Sequence, residues 1–380
     1  MLPDRYDYII TGTGCAGLSL AMHLMANKEL QHKRILLIDE TTKEDQNDRT
    51  WCYWEKEAGF FDPIVHSQWD HIWFYGNNFS KALSITPYRY KMIRGIDFYQ
   101  HCLETLKQNQ NVHFLQAKVD AVFSEETTGV IAGGKTFTAD YVFNSILFKK
   151  PHMRQKEIWL LQHFKGWMVE TNKPAFNPDE ATLMDFRTSQ KRGTAFCYVL
   201  PYSSTKALVE YTLFTPSLLK DEEYDAALKA YCEEILKLYD YRITENEFGV
   251  IPMTNYRFPR GEKNVINIGT AGGQTKGSSG YTFYFIQQHC KKMVERLSTG
   301  LHPYLQTTPG RFQFYDSVLL DVLEQNRMPG KEIFTTMFRK NKPRHVLSFL
   351  NNASHIGTEA RIIATLPTLP FLKAAVRQVL

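Results

Sequence analysis

The sequence predicts an α/β fold: a dinucleotide-binding domain at the N-terminus, an antiparallel β-sheet domain inserted into it, and a helical C-terminal region. Three observations carry this. Residues 6 to 40 alternate strand, glycine turn, apolar helix and strand; residues 164 to 214 hold short β-branched and aromatic runs; residues 301 to 380 read mainly as helix. The 380 residues are 43% hydrophobic and 22% charged, too apolar for disorder and long enough for about two interlocked domains.

In the first segment, Tyr6-Asp7-Tyr8-Ile9-Ile10 and Arg34-Ile35-Leu36-Leu37-Ile38-Asp39 are strands flanking a helix from Leu18 to Asn27. A helix is predicted from Ile93 to Leu106, strands at Val112 to Leu115 and Val119 to Phe123, and a β-pair at 135–137 and 141–145. Strands then follow at 164–170, 181–186, 194–201 and 206–214, and a helix at Asp221 to Tyr239. Asn264 to Ile268 reads as a strand leading through glycines into a helix from Tyr281 to Leu297. The expected boundaries are 1–150 and 250–300 for the dinucleotide-binding domain, 60–95 and 151–249 for the sheet domain, and 301–380 for the helical region.

Gly12-Thr13-Gly14-Cys15-Ala16-Gly17 sits between a strand and a helix, and Asp39, followed by Glu40, ends the next strand 22 residues after Gly17. That is close to the roughly 20 residues expected for a ribose-binding acid. Gly12 allows a tight turn, Gly14 lets the backbone approach a pyrophosphate, and Gly17 permits close helix packing. The N-terminus of the helix at Cys15 and Ala16 offers free N–H groups to phosphate. This is a Rossmann-type fingerprint. A second glycine-rich element, Gly269-Thr270-Ala271-Gly272-Gly273, suits an extended cofactor gripped from both ends of the chain, which fits FAD better than NAD. Arg49 and Arg94 are either phosphate partners or surface ion pairs. Flavin hydroxylases usually carry an acid where this chain has Thr270, which weighs against hydroxylation.

The charge is uneven. Residues 339 to 380 carry seven Lys or Arg against Glu359 alone, a net +6, so the other 338 residues net about −1 of the overall +5. No RNA- or DNA-binding motif accompanies it, so no nucleic acid is expected as a partner. The six cysteines have no metal or disulfide spacing and read as buried free thiols, with no metal site. No secretory pattern precedes the first strand, and no run approaches the ~18 apolar residues of a spanning helix, so a cytoplasmic location is expected.

Several blocks resemble the bacterial lycopene β-cyclases, flavoproteins of carotenoid synthesis. They are Asp48 to Trp54, Ile93 to Tyr99, Gln162 to Trp167, Met184 to Phe186, Leu208 to Phe214, Gly249 to Thr254 and Gly269 to Phe283, in the family's order along most of the chain. The resemblance implies a flavin-hydroxylase-type fold, FAD working in its reduced form, NADPH as its reductant, and lycopene and other linear carotenoids as substrates. It implies Glu210 as the acid/base; the family often has a second acid immediately after, where this chain has Tyr211. From the strand pattern alone, Glu210 is equally a solvated residue on a polar face.

Cyclising a polyene end group needs an acid, a dry pocket and a stabiliser of positive charge. Burial keeps a carboxylic acid protonated, and aromatic faces offset a cation in low dielectric. Trp51, Tyr53, Trp54 and the run Tyr281 to Phe285 are either such a lining or plain core. Carotenes do not diffuse through water, so the apolar, basic segment from Arg361, with Ile362, Ile363, Leu366, Leu369, Phe371, Leu372, Val376, Lys373 and Arg377, either rests on a membrane surface or packs on the core. Competing readings are an oxidoreductase on the same fold, either hydroxylase or isoprenoid reductase, and a non-catalytic flavin or carotenoid carrier.

Overall fold

The computed structural model describes residues 2–43, 47, 49–304 and 310–379; Asp48 lies outside the described residues. The glycine fingerprint joins the strand Arg5–Thr11 to the helix Cys15–Ala26, and the strand Ile35–Asp39 follows. These strands lie in a sheet whose parallel core runs Val265–Asn267, Lys135–Asn144, Arg5–Thr11, Ile35–Asp39, Val112–Gln116. Near-continuous apolar runs such as Ile35 to Ile38 suit a parallel sheet covered on both sides. The helices Cys15–Ala26, Gly95–Lys107 and Phe283–Ser298 cover one face. On the other, the antiparallel strands Val119–Ser124 and Thr128–Ala132 bury Val130 against Ile9, Leu36 and Ile38. The sheet is therefore built from both ends of the chain, which brings the two glycine-rich turns to one edge.

A second, seven-stranded sheet runs Tyr241–Thr254, Trp159–Thr171, Lys206–Thr215, Thr194–Pro201, Ala181–Asp185, His71–Gly76, Phe79–Ser84. All its neighbours are antiparallel except Ala181–Asp185 with His71–Gly76. Its two faces have different covers. Tyr224 and Leu228 of the helix Asp221–Ala230 pack with Val209, Tyr211 and Leu213 on one. Leu208, Phe214, Phe196 and Tyr198 pack with Phe334, Phe338 and other C-terminal helical residues on the opposite one. A small third sheet pairs Thr50–Glu55 and Ser67–Trp69 with Arg89–Arg94.

The structure departs from the expected elements in instructive places. Ile93 and Arg94 end a strand, because pairing with Trp51 and Thr50 claims their backbone, and the helix starts at Gly95. The β-pair near 140 is one strand, Lys135–Asn144. The helix from Asp221 ends at Ala230 and gives way to a π turn, Tyr231–Ile235, so Tyr239 lies well outside it. The long strand Tyr241–Thr254 was hidden by its polar composition, which is how an exposed sheet edge avoids further pairing. Cys15 and Cys52 are only partly buried and line a cavity.

Among the described residues the C-terminal region holds five helices, from Gly310–Glu324 to Thr368–Val379. Its apolar residues divide: Ile362 is buried and Leu366 and Phe371 pack against the core, while Ile363, Leu369, Leu372 and Val376 face outward. Arg377 is tied to Asp321 at 2.8 Å.

Candidate functional site

The N-terminal glycines meet three different demands. Gly12 has φ +86°, and any Cβ there would lie 2.2 Å from Ser145 Oγ. A Cβ on Gly17 would lie 1.9 Å from the carbonyl oxygen of Gly12, so strand and helix approach only because it is absent. Gly14 has nothing within 4 Å of that position, leaving open space in front of the N-terminus of the helix. Such a cradle fits a pyrophosphate. Asp39 accepts the Thr13 N–H at 2.6 Å and the Thr41 N–H at 2.9 Å. Burial pushes its carboxyl up, but these N–H groups outweigh it and hold it below the usual range. A cavity of about 90 Å³ beside Asp39 is lined by Thr13, Thr41 and Lys107. Glu40 is exposed.

The second glycine turn closes on the first. A Cβ on Gly269, at φ +59°, would stand 2.9 Å from Ala16 Cβ, and the Gly269 N–H is held by Gln274 Oε1 at 2.8 Å. Gly272 packs on the Asn267 carbonyl, and Gly273, at φ +69°, turns the chain beside Phe258. Gly14, Cys15, Ala16, Arg49, Gly269 and Thr270 all line one cavity of about 450 Å³. Burial pushes the Cys15 thiol up to about 12. Arg94 is elsewhere: its guanidinium forks onto Asp97 at 2.6 and 2.5 Å, so of the two arginines only Arg49 faces the cavity.

The far wall of this cavity is the second sheet, where Glu210 lies 8% exposed and accepts the Thr212 hydroxyl at 2.7 Å. The register explains its surroundings. Glu210 stands opposite Tyr198 on one side and Gly166 on the other, and Gly166 stands opposite Glu247. Directly opposed residues share a face, so Glu210 and Glu247 flank the one position in that row without a side chain. A Cβ on Gly166 would lie 2.8 Å from Glu247 Cγ. Glu247 accepts the Thr50 hydroxyl at 2.9 Å, and its charge acts directly on Glu210 across Gly166. Burial, then the charge of Glu247, push the Glu210 carboxyl well above the ordinary range against the Thr212 bond. Burial and the neighbouring charge both favour the protonated form of Glu210.

Tyr211, at the position where a second acid was expected, faces the other side, packed with Tyr224 under a helix. Successive strand residues point to opposite faces. Glu247 was not among the sequence candidates. Nothing in the sequence pattern marks it; it is placed by pairing with Gly166.

Aromatic side chains also line the cavity, among them Trp51, Tyr90, Phe164, Tyr198, Tyr281 and Phe283, beside apolar residues such as Leu200 and Ile251. Burial raises the hydroxyls of Tyr90, Tyr198 and Tyr281, so they are neutral. Gln162 Oε1 is buried on this wall with no partner among the described residues. Of the other candidate aromatics, Trp54 is core, its indole donating to the Leu347 carbonyl at 3.0 Å, and Phe285 is buried. Tyr53 and Tyr284 line a second cavity of about 670 Å³ that shares Phe283 with the first. The arrangement can hold an extended cofactor along the glycine turns and present a protonated carboxyl to an apolar molecule beside it.

Solved structures share the fold across its length. A geranylgeranyl bacteriochlorophyll reductase-like protein from Thermoplasma acidophilum superposes with TM-score 0.65 at 11% identity, covering 98% of this chain and 99% of that one. A flavoprotein/dehydrogenase from Cytophaga hutchinsonii gives 0.61 at 12%, covering 99% of each. An anhydrotetracycline hydroxylase from Streptomyces rimosus gives 0.56 at 12%, covering 91% and 76%. The architecture is thus that of flavin-dependent hydroxylases and reductases. A search of the curated proteins finds no match. The family model described as lycopene cyclase protein matches residues 7–376, nearly the whole chain, and the protein belongs to that family.

Proposed function

We propose that this cyclase is a lycopene β-cyclase, an isomerase that converts the linear end groups of lycopene to β-ionone rings, giving γ-carotene and then β-carotene. The single observation that carries this is Glu210: a buried carboxyl, pushed toward its protonated form, in a cavity with aromatic walls that also touches both glycine turns. Gly14, Cys15, Ala16, Asp39, Arg49, Gly269 and Thr270 would hold FAD, the open space at Gly14 and the Gly269–Ala16 contact fitting an extended dinucleotide. When bound and reduced at the expense of NADPH, FAD supplies an electron-rich ring that offsets positive charge. The chain's own residues do the rest. Glu210 donates a proton to the terminal double bond, and Tyr198, Tyr281 and Phe283 present rings to the cation and exclude water.

The substrate must come from a bilayer. No helix among the described residues is long and apolar enough to cross a membrane. The helix Thr368–Val379 instead exposes Leu369, Leu372, Val376 and Val379 along one stripe, with Lys373 and Arg361 exposed nearby. This combination suits docking on the headgroup zone of an anionic membrane.

The test is anaerobic turnover of lycopene in liposomes with chemically reduced FAD. A product of unchanged mass with one or two rings, absent with Glu210→Gln and absent with oxidised flavin, is expected. In a parallel aerobic assay with NADPH as reductant, mass gain with one NADPH consumed per product would instead establish the oxidoreductase reading. Bound pigment without turnover would establish a carrier.

A further inference from the structure

Ring closure consumes a proton at one carbon and must release another from the ring, so a cyclase needs a base as well as an acid. We infer that Glu247 is that base, and that Glu210 and Glu247 form one proton-recycling unit across Gly166. This rests on the cyclase reading.

Four observations support it. Glu247 comes from a different strand yet shares the row and face of Glu210. Gly166 leaves between them the space that a Cβ would fill. After burial, the charge of Glu247 is the largest influence on the Glu210 carboxyl, so the two act on each other directly. Each is oriented by its own hydroxyl, Thr212 for Glu210 and Thr50 for Glu247. Thr50 belongs to the strand that also carries Trp51 and Cys52 into the cavity, so Glu247 is steered from the cofactor side.

The steps balance. The Glu210 O–H bond breaks and a C–H bond forms at the terminal alkene, leaving a tertiary cation. The internal alkene attacks it, one ring C–C bond forms, and the positive charge moves onto the ring. The Glu247 carboxylate removes a ring proton, and the electrons of that C–H bond become the ring double bond. The proton then returns from Glu247 to Glu210 across the row they share at Gly166. No electron is gained or lost, and no co-reactant is needed. Which ring proton lies nearest the base decides where the double bond forms, so Glu247 also fixes the ring isomer.

The experiment compares Glu210→Gln, Glu247→Gln and Glu247→Asp, each first shown to fold by its thermal transition and flavin content. Expected for Glu247→Gln is a fall in kcat of about 10²-fold or more with little change in KM, together with a mixture of ring isomers that Glu247→Asp largely corrects. Infrared spectra of the protein at neutral pH should contain a protonated-carboxyl band that Glu210→Gln removes and Glu247→Gln shifts. Wild-type rate, a single ring isomer or an unshifted band in Glu247→Gln overturns the inference. Full cyclisation by Glu210→Gln overturns the cyclase mechanism itself, which separates the two failures.

Discussion

Glu210 and Glu247 lie on different strands of the second sheet and oppose the same residue, Gly166, from its two sides. Their proximity has a consequence for stability. The Glu210 carboxyl is raised by burial and then by Glu247, so the folded chain binds its proton more tightly than the unfolded one. The stabilisation is complete below the ordinary glutamate value of 4.5 and is lost as pH rises through the higher folded value. Cys52, Tyr198, Tyr202 and Tyr281 also interact with the pair, all raised and neutral. Glu210→Gln, which cannot ionise, should therefore gain Tm over wild type at alkaline pH, on the order of 2 °C per kcal/mol, with the gain shrinking below pH 4.5. A calorimetric pH series checks this; a constant difference would contradict it.

Gly166→Ala should act through Glu247. The added methyl meets Glu247 Cγ at 2.8 Å and Leu208 Cδ1 at 2.9 Å. Overpacking of this kind costs roughly 1–3 kcal/mol. Denaturant titration should show that loss, and product analysis should show the same isomer mixture as Glu247→Gln. Normal products from a destabilised variant would separate the two effects.

The first glycine turn offers a contrast between stability and binding. Gly17→Ala drives a methyl into the Gly12 carbonyl, so both folding yield and flavin content should fall. Gly14→Ala meets no protein atom within 4 Å, so its Tm should match wild type while flavin retained through gel filtration drops. Arg94→Ala, which breaks the Asp97 ion pair, should keep its flavin, whereas Arg49→Ala should lose it. Flavin absorbance per protein measures all four.

On the C-terminal helix, Leu372 and Val376 are 56% and 47% exposed. Leu372→Glu with Val376→Glu should leave Tm within about 1 °C, since exposed substitutions cost little, yet abolish flotation with phosphatidylglycerol vesicles. Retained flotation would remove this stripe from the docking surface.

The parallel sheet, both glycine turns and the helical C-terminal region were legible in the sequence. Each depends on local physics: apolar runs that only a sheet covered on both faces can bury, and glycines that only tight turns and close approaches require. The resemblance likewise singled out Glu210. What residue order could not supply was the second acid. The sequence offered Tyr211 beside Glu210, but a strand sends neighbours to opposite faces, and Tyr211 ends under the helix Asp221–Ala230. The partner instead comes from an edge strand whose polar composition concealed it, placed by pairing through the strand Trp159–Thr171. The same holds for Arg94, drawn to Asp97, and for the C-terminal segment, where helical rotation turned Ile362 inward and left Leu369, Leu372 and Val376 on the surface. Sequence determined which residues carry the chemistry of turns, acids and apolar surface; register and rotation, which exist only once strands pair and helices pack, decided which of them meet.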